Sequence, residues 1–559
     1  MLTPEQLAHC ADSIVGLYSH LNESIIRDVA RRIAKTATVT DTGKLQLRAL
    51  QNLGVLQQDV LKSVAKYNKM SEEELQKLFA DASASAVEYD SKIYRHNGLN
   101  PIPLHLSPSA MQILEAGYNK TKGNITNLTR TTAVSTQTKF INACTMAEMK
   151  SESGAFSPEQ AIFDAVKELA SEGATVIYPS GHEDKIDVAV RRNVMTGVGQ
   201  TTGEICLSYA EDLGCDLMEI TAHAGARPSH AAWQGKIVSL SGRDGYLSLD
   251  DIGYGTGAGF KGWNCRHDWY PYFEGGTRMY SDKELAALEE KNIEFPDGSM
   301  HSLYEAEQYQ RGLERKIRES KRILAAKDEL IKNCSEDLNL GDLQGQFDKY
   351  SVKLKSQEAQ HRAFCNKTGV QPYGSRTRTI GFSRSTSRKA VGSANRYYRG
   401  FSKDYNINNI ESLAKYYDVK YNDTQRYNLL KGYMAAVKGK EISPLVGFEF
   451  FEQKAQSVSQ QLVGISNSCD IEVKGVTPHF VARVIGQTST SHAGMRLGTK
   501  PEHIIDTLNH PENISQPYFV ETKSTNGKKF MDKRITITGE KSQVVFSLTE
   551  QVFVTAIPF

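Results

Sequence analysis

The stretch from Thr221 to Gly276 constrains this chain more than any other. It opens TAHAGARPSHAAWQGKIVSLSG and closes GYGTGAGFKGWNCRHDWYPYFEGG. All three tryptophans lie in it (Trp233, Trp263 and Trp269), with His223, His230, His267 and Cys265. Gly253, Gly255, Gly257, Gly259 and Gly262 follow one another closely. Each glycine costs a helix about 1 kcal/mol against alanine. A regular helix is therefore excluded. The composition predicts a compact knot of loops with short strands such as 236–240, held together by side chains.

Three chemistries compete for this block. Gly257-Ala-Gly259-Phe-Lys-Gly262 matches a dinucleotide fingerprint, but that motif needs a strand before it and a helix opening from it. Trp263-Asn264-Cys265-Arg266-His267 follows instead, so the match is set aside. His223, His230, Cys265 and His267 are nitrogen and sulfur ligands of the kind zinc takes in fours, which would make the block the centre of a zinc-dependent enzyme. Their spacing, H-x6-H and then C-x-H, is not that of a standard finger. The preferred reading binds no metal: the histidines donate to buried carbonyls, and Arg227 and Arg266 pair with acids or with carbonyls at element ends.

The order H-A-G-A-R-P-S-H-A-x-W-Q-G-K, then G-Y-G-T, then G-W-N-C-R-H-D-W-Y-P-Y-F-E-G resembles the phage minor capsid protein 2 family, related to the Mu F-like head morphogenesis proteins. The resemblance extends over roughly residues 1–378. It implies a structural role at or near the portal inside a phage head, with portal and capsid proteins as partners and the virion as location, after synthesis in a host cytoplasm. Within the block, His223, Arg227, His230, Trp233, Gly235, Trp263, Asn264, Cys265, Arg266 and His267 carry the resemblance.

At 559 residues the chain exceeds what one core organises. A net charge of +2 points to no partner by itself. Eight scattered cysteines give no disulfide framework and suit a reducing compartment. The opening MLTPEQLAHC has neither the basic nor the apolar segment of a signal peptide. No apolar run is long enough to span a bilayer, so no membrane partner is expected.

The expected class is α+β and multidomain, largely helical around the knot. Residues 1–156 read as helical, with capping boxes at Thr3–Gln6 and Ser71–Glu74 and an apolar stripe through Leu45, Leu47, Leu50 and Leu53. Ser107-Pro108 starts a further helix, and the Thr/Asn-rich 121–138 is a loop or a polar helix face. Residues 157–276 form the α+β core: a helix from Ser157, a strand at 174–178, a helix over 185–214, a strand at 217–221 and the knot. Residues 277–372 predict a long charged helical arm or hairpin broken at 337–341, its acids and bases laced as i,i+4 pairs. Residues 373–400 are serine-, glycine- and arginine-rich with no acid, and predict a flexible linker. Arg376, Arg378, Arg384, Arg388, Lys389, Arg396 and Arg399 would serve as a sequence-independent contact to DNA phosphates or as a plain solvated tether. Residues 401–465 predict a small separate helical segment.

Residues 466–559 change pattern again. Thr477-Pro478 opens one helix, Thr499–Glu502 caps a second, and strands at 518–521, 534–538, 542–548 and 551–557 complete a helix–helix–sheet module. His479 and Arg483 are four apart and share a helix face. A histidine able to move a proton at a ribose 2′-hydroxyl, beside a fixed cation for the phosphate, is what RNA cleavage without metal requires. This arrangement resembles the phage barnase–EndoU–colicin–RelE-like nucleases. The resemblance implies RNA as substrate and Thr555, with Arg534 or Lys541, as partners of His479 and Arg483. The insertion 486–498 is longer than that pattern expects.

Overall fold

The computed structural model describes residues 1–36, 42–153, 155–334, 339–465, 467–487, 496–523 and 529–559. The leucine stripe at 45–53 has its side chains outside that set, as do most of the 486–498 insertion and part of the 337–341 break. The chain is α+β and divides into two compact units, Met1–Ala390 and Val391–Phe559.

The first unit is built on long helices. Asp12–Thr36, Thr42–His96, Pro108–Glu152 and Ile186–Asp212 pack against one another. Local chemistry sets several of their ends. Thr3 and Gln6 exchange the reciprocal bonds of a capping box, as do Ser281 with Glu284 and Ser302 with Glu305. Ser107 and Ser157 accept from the backbone of Ala110 and Gln160. Ser71 is different. It lies inside the uninterrupted helix Thr42–His96, where its hydroxyl bonds back to the Asn68 carbonyl. Burial against Tyr18 outweighs the capping signal there. The threonines of 121–138 are helical, and Thr121, Thr129, Thr132 and Thr136 are buried.

The predicted divisions at 156 and 276 do not hold as boundaries. One apolar core runs from Leu2 through Phe79, Phe140, Val194 and Trp269 to Ile323 and Leu343. The charged arm is a hairpin of Leu303–Asn333 and Leu340–Thr368, and its first helix packs on Asp12–Thr36 and Pro158–Glu172. Its acids are paired across elements: Glu329 binds Arg27 and Arg31, and Asp328 binds Lys389.

The predicted linker is helical, over Gly374–Thr377 and Arg384–Asp404. Thr386, Ala390, Ala394 and Tyr398 recur once per turn and are buried, which supplies the apolar face that a Ser/Gly/Arg composition conceals. Arg384, Arg388, Arg396 and Arg399 are exposed on this helix.

The second unit joins what the sequence divides at 465. Val458 and Leu462 of the helix Phe448–Leu462 enter the same core as Phe480, Ile504, Ile537 and Phe553. Its sheet runs in the order 518–523, 529–538, 542–547, 552–558, 475–476; the last pair is parallel, and Asn513–Ile514 also pairs with 529–538. Thr477 caps its helix as expected. The helix Pro501–Asn509 starts at Lys500 without a side-chain cap, so Thr499 does not form the expected box. Among the described residues no helix is long and apolar enough to cross a membrane.

Candidate functional site

The knot hangs on a three-stranded antiparallel sheet. Leu217–Ile220 is central, between Ile237–Ser239 and Trp269–Tyr272. From Ile220 the chain leaves the sheet, and Pro228 opens a single helical turn, Pro228–Ala231, that carries His230. Gly235 returns the chain to the sheet at φ 66°, a left-handed conformation that glycine adopts without strain; a Cβ there would also press on Leu285. The second excursion, 240–268, is turns and bends apart from a single bridge of Leu247 to Val238. No strand–loop–helix surrounds Gly257–Gly262, so the fingerprint match has no binding fold behind it. Gly259 is there for closeness: a Cβ would overlap the Gly253 carbonyl. Asn264 takes the left-handed region at φ 54°, as asparagine tolerates.

These two excursions bring residues far apart in sequence together inside the core. His230, Cys265 and His267 are all buried. Nδ1 of His230 lies 3.4 Å from Nδ1 of His267, and the Cys265 sulfur lies 3.9 Å and 3.6 Å from those two nitrogens. Nε2 of His230 contacts the Ala258 carbonyl at 2.9 Å, and Nε2 of His267 contacts Oε1 of Gln234 at 3.3 Å. His223 bonds through Nδ1 to the Ala224 carbonyl at 2.9 Å and stacks on His267 with ring centroids 4.5 Å apart. Trp233 closes the cluster, its ring 4.4 Å from His230 and 4.8 Å from His267. Arg227 donates to the Trp263 carbonyl and Arg266 to that of Gly225, with Glu307 3.8 Å from Arg266. Trp263 differs from the rest: it is 60% exposed.

Burial dominates the electrostatics. It lowers His223 to about 4, with Arg266 adding to it, and lowers His230 to about 4 against the opposing Ala258 carbonyl. His267 falls well below its usual range, first from burial and then from the neighbouring histidines and arginines. The Cys265 thiol is pushed up by burial. All three imidazoles are neutral at pH 7.

Three participants escaped the sequence reading. Gln234 accepts from the His223 backbone and donates to Glu289. Lys261 and Asp268 form a fully buried ion pair, and Asp268 also accepts from the Leu2 amide. Burial alone would raise the Asp268 carboxyl, but Lys261 and the N-terminal amine hold it below its usual range. Asp268 lies next to His267 in the block. An acid set directly between a histidine and a tryptophan was the signal that could have found it.

The cluster borders a cavity of about 920 Å³. His223, His230 and His267 line it, with Arg192, Arg227, Arg266 and Arg311.

In the second unit the geometry separates the nuclease candidates. His479 and Arg483 do meet: the Arg483 Nε donates to His479 Nε2 at 3.2 Å. Partial desolvation and then Arg483 lower the imidazole. Their helix lies on the sheet face that holds Ile535, Ile537, Phe546 and Phe553, since Phe480 stacks on Phe553 at 5.1 Å. Arg534 and Thr555 alternate onto the other face. The Arg534 guanidinium is held by Asp532 at 2.6 Å. Lys541 is exposed in the turn beside Phe559, at the far end of the strand from the His479 helix. The five residues therefore form no single site.

A family model described as phage minor capsid protein 2 matches residues 2–366, and the chain belongs to that family. The chain is also 27% identical over 265 residues to a protein of Lactococcus phage LL-H described as "Structural protein", covering 43% of this chain and 69% of that relative. No solved structure matches. The family match ends before the second unit begins.

Proposed function

We propose that the protein is a minor capsid component seated at the portal, with Met1–Ala390 as its assembly body. One observation carries this: the most chemistry-rich block of the chain is packed into the core of the family-matching unit, with Arg227, Arg266 and Nε2 of His230 tied to backbone carbonyls. That arrangement suits a rigid body for assembly. The seat at the portal rests on the resemblance of the 221–276 block. Purified particles should contain the protein in few copies, and cross-linking within particles should join it to the portal protein. Its absence from particles, or cross-links to other partners alone, would overturn the proposal.

A second reading concerns the second unit. His479 and Arg483 in direct contact keep alive a metal-independent cleavage of RNA, by attack of a 2′-hydroxyl on the adjacent phosphate with loss of the 5′-oxygen and formation of a cyclic phosphate. The full-length protein incubated with RNA in chelator tests it against His479→Ala. Cleavage by the wild type alone supports a nuclease; equal or no cleavage reduces the unit to an appended binding module. The exposed basic face of the helix Arg384–Asp404 fits DNA phosphates. Particle DNA should cross-link to it, and Arg384→Glu with Arg388→Glu should weaken that cross-link.

A further inference from the structure

The buried triad His230, Cys265 and His267 has a hydrogen-bonding problem that no group around it solves. The Ala258 carbonyl can only accept, so Nε2 of His230 carries the hydrogen. Oε1 of Gln234 is fixed as an acceptor by the His223 amide, and the Gln234 amide nitrogen is committed to Glu289. Nε2 of His267 therefore carries its hydrogen too. Both imidazoles are then left with a bare lone pair on Nδ1, and these two atoms face each other at 3.4 Å. Neither has a hydrogen to offer the other. The Cys265 thiol has one hydrogen and serves at most one of them. At least one of two opposed, buried lone pairs is left without a donor, which is unfavourable as it stands.

A cation between them removes the conflict, and the spacing is what a tetrahedral ion sets. With Zn–N near 2.0–2.1 Å and Zn–S near 2.3 Å, tetrahedral edges are about 3.3 Å between nitrogens and about 3.5 Å between nitrogen and sulfur. The observed separations are 3.4 Å between nitrogens and 3.6 and 3.9 Å from sulfur to nitrogen. Among the described residues, no other group of three histidine, cysteine or acidic side chains closes in this way. The surroundings are those of a metal site as well. Each ligating imidazole gives its remote N–H to an oxygen, which fixes ring orientation and tautomer. Both imidazoles line the cavity of about 920 Å³, which provides a path for entry.

The geometry points to a zinc ion bound by His230 Nδ1, His267 Nδ1 and the Cys265 thiolate, with the fourth position open to water. Two nitrogens and a thiolate select a borderline-soft divalent ion over magnesium or calcium, which take oxygen ligands. Binding releases the thiol proton to solvent, and the thiolate cancels one of the ion's two charges. His223 is outside the ligand set, because only His230, Cys265 and His267 bring their ligand atoms within 4.8 Å of one another. The two excursions of the knot would thus be joined by an ion as well as by packing.

The full-length protein, purified without chelator, should contain about one zinc per chain by elemental analysis. Replacement by cobalt should give visible ligand-field bands and a near-ultraviolet thiolate-to-cobalt band at the same stoichiometry. Cys265→Ser, close in size to the native residue, should abolish the thiolate band and weaken metal retention at least tenfold against a competing chelator. His223→Ala should keep both metal and band. Circular dichroism of each variant separates loss of ligand from loss of fold. A wild type without stoichiometric metal that also takes up no cobalt would overturn the site. So would a cobalt spectrum unchanged in Cys265→Ser, or loss of metal from a folded His223→Ala.

Discussion

The knot of the first unit and the module at the end of the second both bring chemistry-bearing residues onto short secondary structure, with opposite results. In the knot, residues from 2 to 289 converge: Asp268 bonds to Leu2 and Thr221, and Gln234 to His223 and Glu289. In the module, Arg534 and Thr555 sit on the opposite face of the sheet from His479, and Lys541 at its other end. Spacing along a chain predicts a site only where the fold turns that spacing inward. A glycine-broken loop does so when its aromatics are buried, whereas strand alternation sends neighbours to opposite faces.

The sharpest way to break this comparison is at the buried ion pair. Asp268→Asn leaves Lys261 charged and unpaired in the core, and should destabilise the first unit by about 3–5 kcal/mol in urea unfolding. A loss below 1 kcal/mol would mean that the knot is not anchored as described. Gly259→Ala comes next. Its methyl group has only the Gly253 carbonyl to move against, and the expected loss is about 1–3 kcal/mol.

Lys327 sharpens the comparison from another side. It is fully buried against Phe163 and Tyr350, and burial lowers it to about 5. Between that value and the ordinary 10.5 the unfolded chain binds a proton that the folded chain does not, so stability falls as pH drops through this range. Lys327→Met should stabilise the first unit by about 1–3 kcal/mol at pH 7 and flatten its pH dependence. Equal slopes for wild type and variant would contradict the burial of this amine. The smallest effect belongs to the module. His479→Ala removes an exposed ring and should shift unfolding by no more than about 0.5 kcal/mol; a larger loss would give this residue a packing role.

Legibility followed the range of the interactions. Caps are local, so Thr3, Ser157 and Thr477 announced their helices. Ser71 carried the same signal and failed because Tyr18, far away in sequence, buries it. The helix at 384–404 hid behind composition: apart from Tyr398, its buried face is made of Thr386, Ala390 and Ala394, side chains too small to register as an apolar stripe. The division at 465 failed because Val458 and Leu462 look like an ordinary helix face until the sheet they cover is known. In the knot the residue types were legible, but the convergence of His230 with Cys265 and His267 was not. It depends on two excursions from one strand, and on glycines whose closeness only the fold reveals. The register that separates Arg534 from His479 includes a bulge between Val545 and Phe546, which no local pattern marks.

The central claim is that the 221–276 block is part of the first unit's core and not an open loop system. Hydrogen exchange of the full-length protein, read by mass spectrometry, tests it most directly. Amides at 217–220, 237–239 and 268–272 should exchange as slowly as those of the helix Ile186–Asp212, by the same global opening. Exchange of these segments orders of magnitude faster than that helix would show that the knot opens on its own, and would contradict the account.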